Sequence, residues 1–241
     1  MTASQAGCDM NDKLFSGFPR EMFTFLDNLS KNNNRTWFND HKVRYEQFVV
    51  EPTMQFINAV GNILPSISKY YVASTRRTGG SMFRIYRDTR FSPNKRPYKE
   101  NVGCQFRHIM GRDAHAPGFY VHLAPKEVFI GGGIWMPKNP VLDKVRAEIT
   151  ESPRRWSRVI NDKQFLECFG GLGGESLVRP PRGYNEKHPY IDDLKRKSFI
   201  AFRHVDPALV LNHSFIDEVN YVFTRLKPLM RFISSALELP F

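Results

Sequence analysis

The spacing of hydrophobic residues changes twice along this chain, and these changes constrain the fold more than any other feature of the sequence. Residues 22–29 carry apolar side chains at steps of three and four, which is typical of a helix with one buried side. Residues 82–87 and 119–123 alternate instead, which indicates strands, and residues 215–237 return to helical spacing. The pattern predicts an α+β fold, with a central, mainly antiparallel sheet and the N-terminal and C-terminal helices packed on one of its faces.

Local signals predict where several elements begin and end. Thr36 is expected to cap the second helix, and Pro52 to end or kink the run that follows it at Glu51. Residues 165–174 end in glycines and are expected to form a turn region. Ser214 and Asp217 resemble a capping box at the start of the last helix.

The spacing around Pro125-Lys126 predicts a β-hairpin with a definite register. With those two residues as the loop, the expected pairs are Leu123 with Val128, Val121 with Ile130, and Tyr120 with Gly131. One face of this hairpin is then apolar, and the other carries Tyr120, His122 and a bare backbone at Gly131.

Length and composition predict one folded domain. The chain has 241 residues, of which 41% are hydrophobic, enough for a substantial core. Residues 13–241 are expected to form a single α+β domain, and residues 1–12 a disordered or loosely held segment. No apolar run reaches the roughly 18 residues of a membrane span, so no membrane association is expected.

Cysteine usage predicts a reducing compartment, which we take to be the cytoplasm. Cys8, Cys104 and Cys168 are odd in number and far apart in the sequence. This arrangement argues against a disulfide framework and against a zinc knuckle. The polar first residues also lack the apolar stretch of a secretory signal.

The positive charge is concentrated in two stretches of the chain. The formal net charge is +11, and residues 76–112 hold ten Lys or Arg against Asp88 and Glu100 alone. Residues 179–204 hold seven against three acidic residues. This clustering favours an anionic partner, although two solvated surfaces with flexible side chains would produce the same count.

Residues 82–99, which we call the basic segment, have the densest set of side chains suited to anion binding. An extended run is expected to leave the sheet here, turn at Ser92-Pro93-Asn94 and return. Arginine offers a planar fork of donors to phosphate or carboxylate, and lysine adds a mobile charge. The predicted ligands in this segment are Arg84, Arg87, Arg90, Lys95 and Lys99.

Four residues are candidates for proton transfer at such a site. His122 is the foremost, because imidazole titrates near neutrality and is expected on the same face as Arg84. Tyr86, Tyr98 and Asp88 are the others. Two alternatives stay open, namely a structural strand histidine and an Asp88 that only pairs with Arg84 or Arg90 to fix the loop.

Glycines next to the predicted hairpin indicate a second part of the site. Gly131, Gly132 and Gly133 allow close approach of a backbone or a ligand, and Trp135 follows them. We interpret them as the floor of a pocket beneath His122 rather than as a phosphate loop, since no GxGxxG or GKS pattern is present. No histidine spacing predicts a metal site, and no cofactor is indicated.

The second basic stretch contributes further predicted ligands. The rigid Pro180-Pro181-Arg182-Gly183 turn could aim Arg182 into the same pocket. Tyr184, His188 and Lys195 follow as additional candidates. The alternative is that the two basic stretches lie far apart in space.

Several of these motifs together resemble a family of conserved hypothetical proteins found in bacteria and fungi. They are FRIYRDTRFSPNKRPYK (83–99), GFYVHL (118–123), FIGGGIWMP (129–137), PPRGY (180–184) and KRKSF (195–199). The likeness spans most of the chain, and it implies a single domain without implying an activity, a cofactor or a substrate.

Three functions are compatible with the sequence. The first is binding of a phosphorylated or carboxylated small molecule in an Arg/Lys/Tyr-lined pocket, with acid–base catalysis as an extension. The second is a nucleic-acid-binding module that holds phosphates with the basic stretches and stacks bases on Phe91 or Tyr98. The third is a structural or assembly protein whose basic face docks on an acidic partner. The oligomeric state is not indicated.

Overall fold

The computed structural model describes residues 15–111 and 116–241. The predicted loose segment at residues 1–12, together with Cys8, Arg112 and His115, lies outside the described residues. Cys104 and Cys168 are both buried free thiols. Across the described chain, no helix has the length and apolar character needed to cross a membrane.

The helices before the sheet form a nearly continuous N-terminal layer. They are α1 (Arg20–Lys31), α2 (Arg35–Asp40), α3 (Lys42–Tyr45), a π-helical turn (Glu46–Val50) and α4 (Glu51–Ile67). The prediction for Thr36 was wrong, because Asn34 is the cap of α2 and its side chain accepts a 2.9 Å hydrogen bond from the Trp37 backbone N–H. Asparagine suits this role because its short carbonyl reaches an N–H group that lacks an intrahelical partner.

Pro52 changes the helix without ending it. It lies in the first turn of α4, where its missing N–H and bulky ring follow directly after the π-helical turn. In an α-helix a proline ring clashes with the carbonyl group four residues earlier, which here belongs to Phe48 inside the π-helical turn. The helical run thus continues past Glu51, where it was expected to end or kink, and the hydrogen-bond pattern differs over Glu46–Val50 instead.

Five strands of the described part of the chain form one antiparallel sheet in sequence order. They are β1 (Tyr71–Val72), β2 (Val102–His108), β3 (Gly118–Ala124), β4 (Glu127–Ile134) and β5 (Phe199–His204). The predicted hairpin register is confirmed at all three positions, with Leu123 opposite Val128, Val121 opposite Ile130 and Tyr120 opposite Gly131.

Residues 82–87 are extended but do not form a regular strand. They make isolated bridges, Met82 with Cys104 and Tyr86 with Tyr98. The alternation was nevertheless read correctly, because Ile85 is buried while Arg84 and Tyr86 are exposed. β2, which pairs with β1 and β3, was not predicted.

Both terminal helical regions pack on the same face of the sheet, and the α+β prediction is confirmed. The side chains of Phe106 and Phe119 share that face, since the two residues are directly paired. Phe223 of the last helix, α9 (Phe215–Ala236), stacks on Phe119 at 4.5 Å between ring centroids. Phe56 of α4 meets Phe106 edge-on at 6.4 Å.

The remaining elements connect β4 to β5 and β5 to α9. They are α5 (Asn139–Glu151), α6 (Pro153–Ile160), α7 (Lys163–Phe169), α8 (Ile191–Leu194) and a 3-10 turn (Pro207–Leu211). Residues 165–169 are therefore helical rather than a turn, and the turn begins at Gly170 with a φ of +68°. The predicted capping box is absent, because the Ser214 side chain makes no capping hydrogen bond to α9.

Candidate functional site

The basic segment folds as an irregular hairpin against the outer edge of β2. The Phe83 N–H donates to Gly103 O at 2.9 Å and fixes the segment to the sheet. Within the segment, the Arg87 N–H donates to Pro97 O at 2.9 Å, and the Lys99 N–H donates to Ile85 O at 2.7 Å. These bonds join the outgoing and returning arms of the segment, and the sequence predicted such a return.

A cavity of about 310 Å³ lies between α2 and the basic segment. We call it the arginine cavity, and its lining residues are Arg35, Asn39, Tyr86, Arg87, Thr89, Pro97 and Tyr98. Its volume is at the lower end of the range of about 300–1,000 Å³ that small-molecule sites occupy. Of the predicted site residues, the fold brings Tyr86, Arg87 and Tyr98 together here.

The walls of the arginine cavity are held by contacts of the basic segment with α2 and with the turn that precedes it. The Asn33 side chain accepts from the Tyr98 N–H and donates to Tyr98 O, both at 3.1 Å. The Tyr98 ring, only 2% exposed, stacks on Phe38 at 4.2 Å. Burial, then the neighbouring Tyr86, raise the pKa of Tyr98, so its hydroxyl is protonated at neutral pH.

The positive charge in this cavity is not neutralised by the described protein. Arg35 and Arg87 make no ion pair within residues 15–111 and 116–241, and the cavity lining contains no carboxylate. Neighbouring cations are already engaged, since Arg90 pairs with Asp88 and Arg96 with Glu100. The arginine cavity therefore holds two positive charges, without a carboxylate partner among the described residues, beside two tyrosine rings.

Asp88 forms the ion pair that was left open as its structural role. Its carboxylate receives two bonds from the Arg90 guanidinium, at 2.7 and 3.0 Å, and one from the Arg90 N–H. These hydrogen bonds lower the pKa of Asp88 to about 2. A carboxylate with so low a pKa is a weak proton acceptor at neutral pH.

Lys95 and Lys99 brace the basic segment through backbone carbonyls. Lys95 Nζ donates to Thr89 O at 2.9 Å, and Lys99 Nζ donates to Arg84 O at 2.8 Å. Lys99 also lies 5.4 Å from the centre of the Phe83 ring. Burial, and then the nearby Arg84, lower the pKa of Lys99.

His122 lies on the second face of the sheet, in a row of aromatic rings. Its Nδ1 is 3.2 Å from the Tyr120 hydroxyl, and its ring stacks on Phe129 at 4.6 Å. Phe83 connects this row to the basic segment, because its ring centroid is 6.0 Å from that of Tyr120. His122 does not line the arginine cavity, so its predicted catalytic role stays a prediction.

Lowering the pH should reduce the stability of the protein through protonation of His122. Burial lowers the pKa of this histidine below its usual value of about 6.5. As the pH falls, the unfolded chain then takes up the proton first, so the contribution of His122 to stability is lost below about pH 6.5. An NMR titration of the imidazole protons checks this, and a midpoint at or above 6.5 would contradict it.

The three glycines of β4 bring the neighbouring strands and side chains close. A Cβ on Gly131 would lie 2.7 Å from Phe202 Cβ, and one on Gly132 would lie 3.0 Å from Leu226 Cδ1. Gly133 has a φ of +129°. Their predicted role as a pocket floor stays a prediction, as does the binding role of Trp135, which is 58% exposed at the end of β4.

The second basic stretch lies along the opposite edge of the sheet from the basic segment. The Gly173 N–H bonds to Ile200 O on the outer side of β5, and Lys197 pairs with Glu175 nearby. β5 is three strand spacings from β2, about 14 Å. Arg182 is not among the residues that line the arginine cavity.

The predicted ligands of the second stretch have their own surroundings. Arg182 is exposed, and Tyr184 and Lys195 are half-buried. His188 Nδ1 accepts from the Tyr190 N–H at 3.1 Å. The role of these four residues as ligands stays a prediction, separate from the arginine cavity.

Sequence reasoning missed the half of the cavity that α2 contributes. Arg35 comes directly before the expected cap Thr36, and Asn39 lies in the helix expected after it, and neither was considered as a ligand. The available signal was Arg35 directly after three asparagines, at the start of a short helix. Its distance of roughly fifty residues from the basic segment hid their proximity in the fold.

The fold and the site together define an α+β protein with a positively charged cavity at one edge of an antiparallel sheet. A family model described as conserved hypothetical protein (DUF2461) matches residues 21–232, and the chain belongs to that family. The expected resemblance to a family of conserved hypothetical proteins is thus confirmed. No curated protein matches the chain.

Proposed function

We propose that this protein binds a phosphorylated or carboxylated small molecule in the arginine cavity. The observation that carries the proposal is the presence of both Arg35 and Arg87 in a cavity whose described lining has no acidic group. Two unpaired guanidinium groups in a concave site favour an anion over any other ligand.

The lining chemistry supports recognition of an anion with several oxygens. Arg35 and Arg87 provide planar forks of N–H donors, while Tyr86, Thr89 and Asn39 provide hydroxyl and amide donors. The protonated Tyr98 hydroxyl adds another. In this proposal the tyrosines donate hydrogen bonds, and acid–base catalysis by Tyr86 or Tyr98 is an extension of the same site.

Binding of nucleic acid is the second candidate, and one observation favours it. Phe91, at the tip of the basic segment, is 94% exposed, and the Arg90 guanidinium carbon is 5.8 Å from the centre of its ring. An exposed aromatic ring beside an arginine is suited to base stacking. In this case affinity for single-stranded RNA would fall steeply as salt is raised. The third candidate, an acidic protein partner, rests on net charge alone.

Titration with inorganic phosphate, pyrophosphate and citrate at about 50 mM salt tests the first proposal. A ligand at 100 times its Kd should raise the free energy of unfolding by about 2.7 kcal/mol. Arg87→Gln and Arg35→Gln should each weaken binding about tenfold or more, because each removes a charge-assisted contact.

Arg154→Gln is the matched control, because it removes the same charge from an exposed position on α6. Its affinity should stay within about twofold of the unchanged protein. Equal losses in Arg154→Gln and Arg87→Gln would show attraction to net charge rather than to a site. Protection by none of the three anions would reject the proposal, and tight, salt-sensitive RNA binding would favour the second candidate.

A further inference from the structure

We infer that the ligand of the arginine cavity carries an apolar group, about the size of one aromatic ring, next to its anionic group. This inference rests on the proposed function and specifies its ligand class. Aryl phosphates and aryl carboxylates are the simplest compounds of this kind.

A second cavity shares the lining residue Tyr86 with the arginine cavity. We call it the apolar groove, and its volume is about 160 Å³. Its lining residues are Phe38, Lys42, Tyr45, Glu46, Val50, Met54, Arg77, Met82, Phe83, Arg84, Ile85 and Tyr86. Tyr86 lines both cavities, so both spaces lie against the same side chain.

The side chain of Tyr86 is suited to contact both parts of such a ligand. Tyr86 is 52% exposed, and its ring centroid lies 6.5 Å from the ring centroid of Phe38 and 5.4 Å from that of Tyr98. The ring therefore extends the apolar floor of the groove towards the arginines. An apolar group bound in the groove would contact one edge of Tyr86 while its anion contacts the arginine side.

The size and polarity of the apolar groove fit a single ring. Most of its lining is aliphatic or aromatic, and its volume is close to that of the roughly 150 Å³ apolar cavity known to bind benzene. The carboxylate in its lining, Glu46, is paired with Arg77. Burial raises the pKa of Tyr45, so that hydroxyl is uncharged. No unpaired negative charge of the described lining would therefore repel an anion next door.

Comparison of methyl phosphate with phenyl phosphate tests the inference by isothermal titration calorimetry. Phenyl phosphate should bind on the order of tenfold more tightly, because binding in the groove removes the apolar surface of its ring from water. Met54→Gln should remove most of this advantage and leave the Kd of methyl phosphate unchanged. Met82→Gln, from the other wall of the groove, provides an independent variant should the first one unfold.

The outcomes separate this inference from the function on which it rests. Equal affinities for the two phosphates, both lost in Arg87→Gln, would overturn the apolar part and leave anion binding intact. A phenyl advantage that survives both methionine substitutions would also overturn it, since the ring would then bind elsewhere. Failure of both phosphates to bind, together with no protection by phosphate, pyrophosphate or citrate, would reject the function and the inference together.

Discussion

Gly133→Ala should lower the free energy of unfolding by about 4 kcal/mol or more, because two independent costs add at one position. Gly133 has a φ of +129°, a conformation that residues with a Cβ rarely adopt. An added Cβ would also overlap the carbonyl oxygen of Phe199 on β5. Urea denaturation followed by circular dichroism measures the change.

Gly170→Ala is the matched control for this experiment. Gly170 also has a positive φ, +68°, but among the described residues no atom beyond its immediate chain neighbours lies within 4 Å of an added Cβ. Only the conformational cost then applies, and the loss should be about 1 kcal/mol. Similar losses in the two variants would mean that the contact between β4 and β5 is not what requires glycine.

Arg146→Met should cost about 3 kcal/mol of unfolding free energy. Arg146 is on α5, is 4% exposed, and donates from Nε to Leu194 O at 2.8 Å and from Nη2 to Arg196 O at 3.3 Å. Methionine keeps most of the length of the side chain but leaves these carbonyls without their donor. Because Asp143, its ionic partner, is largely exposed, water can replace that contact.

Arg158→Met tests whether loss of an arginine alone explains the effect. Arg158 is exposed on α6, so the same substitution there should change the unfolding free energy by no more than about 0.5 kcal/mol. A loss in Arg146→Met no larger than this would show that the buried hydrogen bonds contribute little to stability. Urea denaturation of both variants at one pH provides the comparison.

Local pattern predicted the sheet where side chains alternate in burial. The β3–β4 register followed from apolar residues on one face and a two-residue loop, and all three expected pairs are present. β2 was missed although its apolar residues Val102, Cys104 and Phe106 recur at every second position. Gly103 between them is of a type that is depleted in strands, and Gly103 and Gln105 are buried as well, so burial in this strand does not alternate.

The candidate site was predicted only on the side where its residues are consecutive. Arg87, Tyr86 and Tyr98 were identified in one dense segment, whereas Arg35 and Asn39 come from a helix earlier in the chain. Counting charges also could not show which cations are neutralised. Arg90 and Lys197 are paired with carboxylates in the fold, whereas Arg87 has no such partner among the residues that the structure describes.

The π-helical turn between α3 and α4 separates two roles within one helical run. An α-helix rotates by about 100° per residue, so one extra residue in a turn rotates everything before it relative to everything after it. The side chain of Tyr45, the last residue of α3 before the turn, borders the apolar groove, whereas Phe56, after the turn, faces the sheet. Substitutions in α3 are therefore expected to leave unchanged the angular phase with which α4 packs on the sheet.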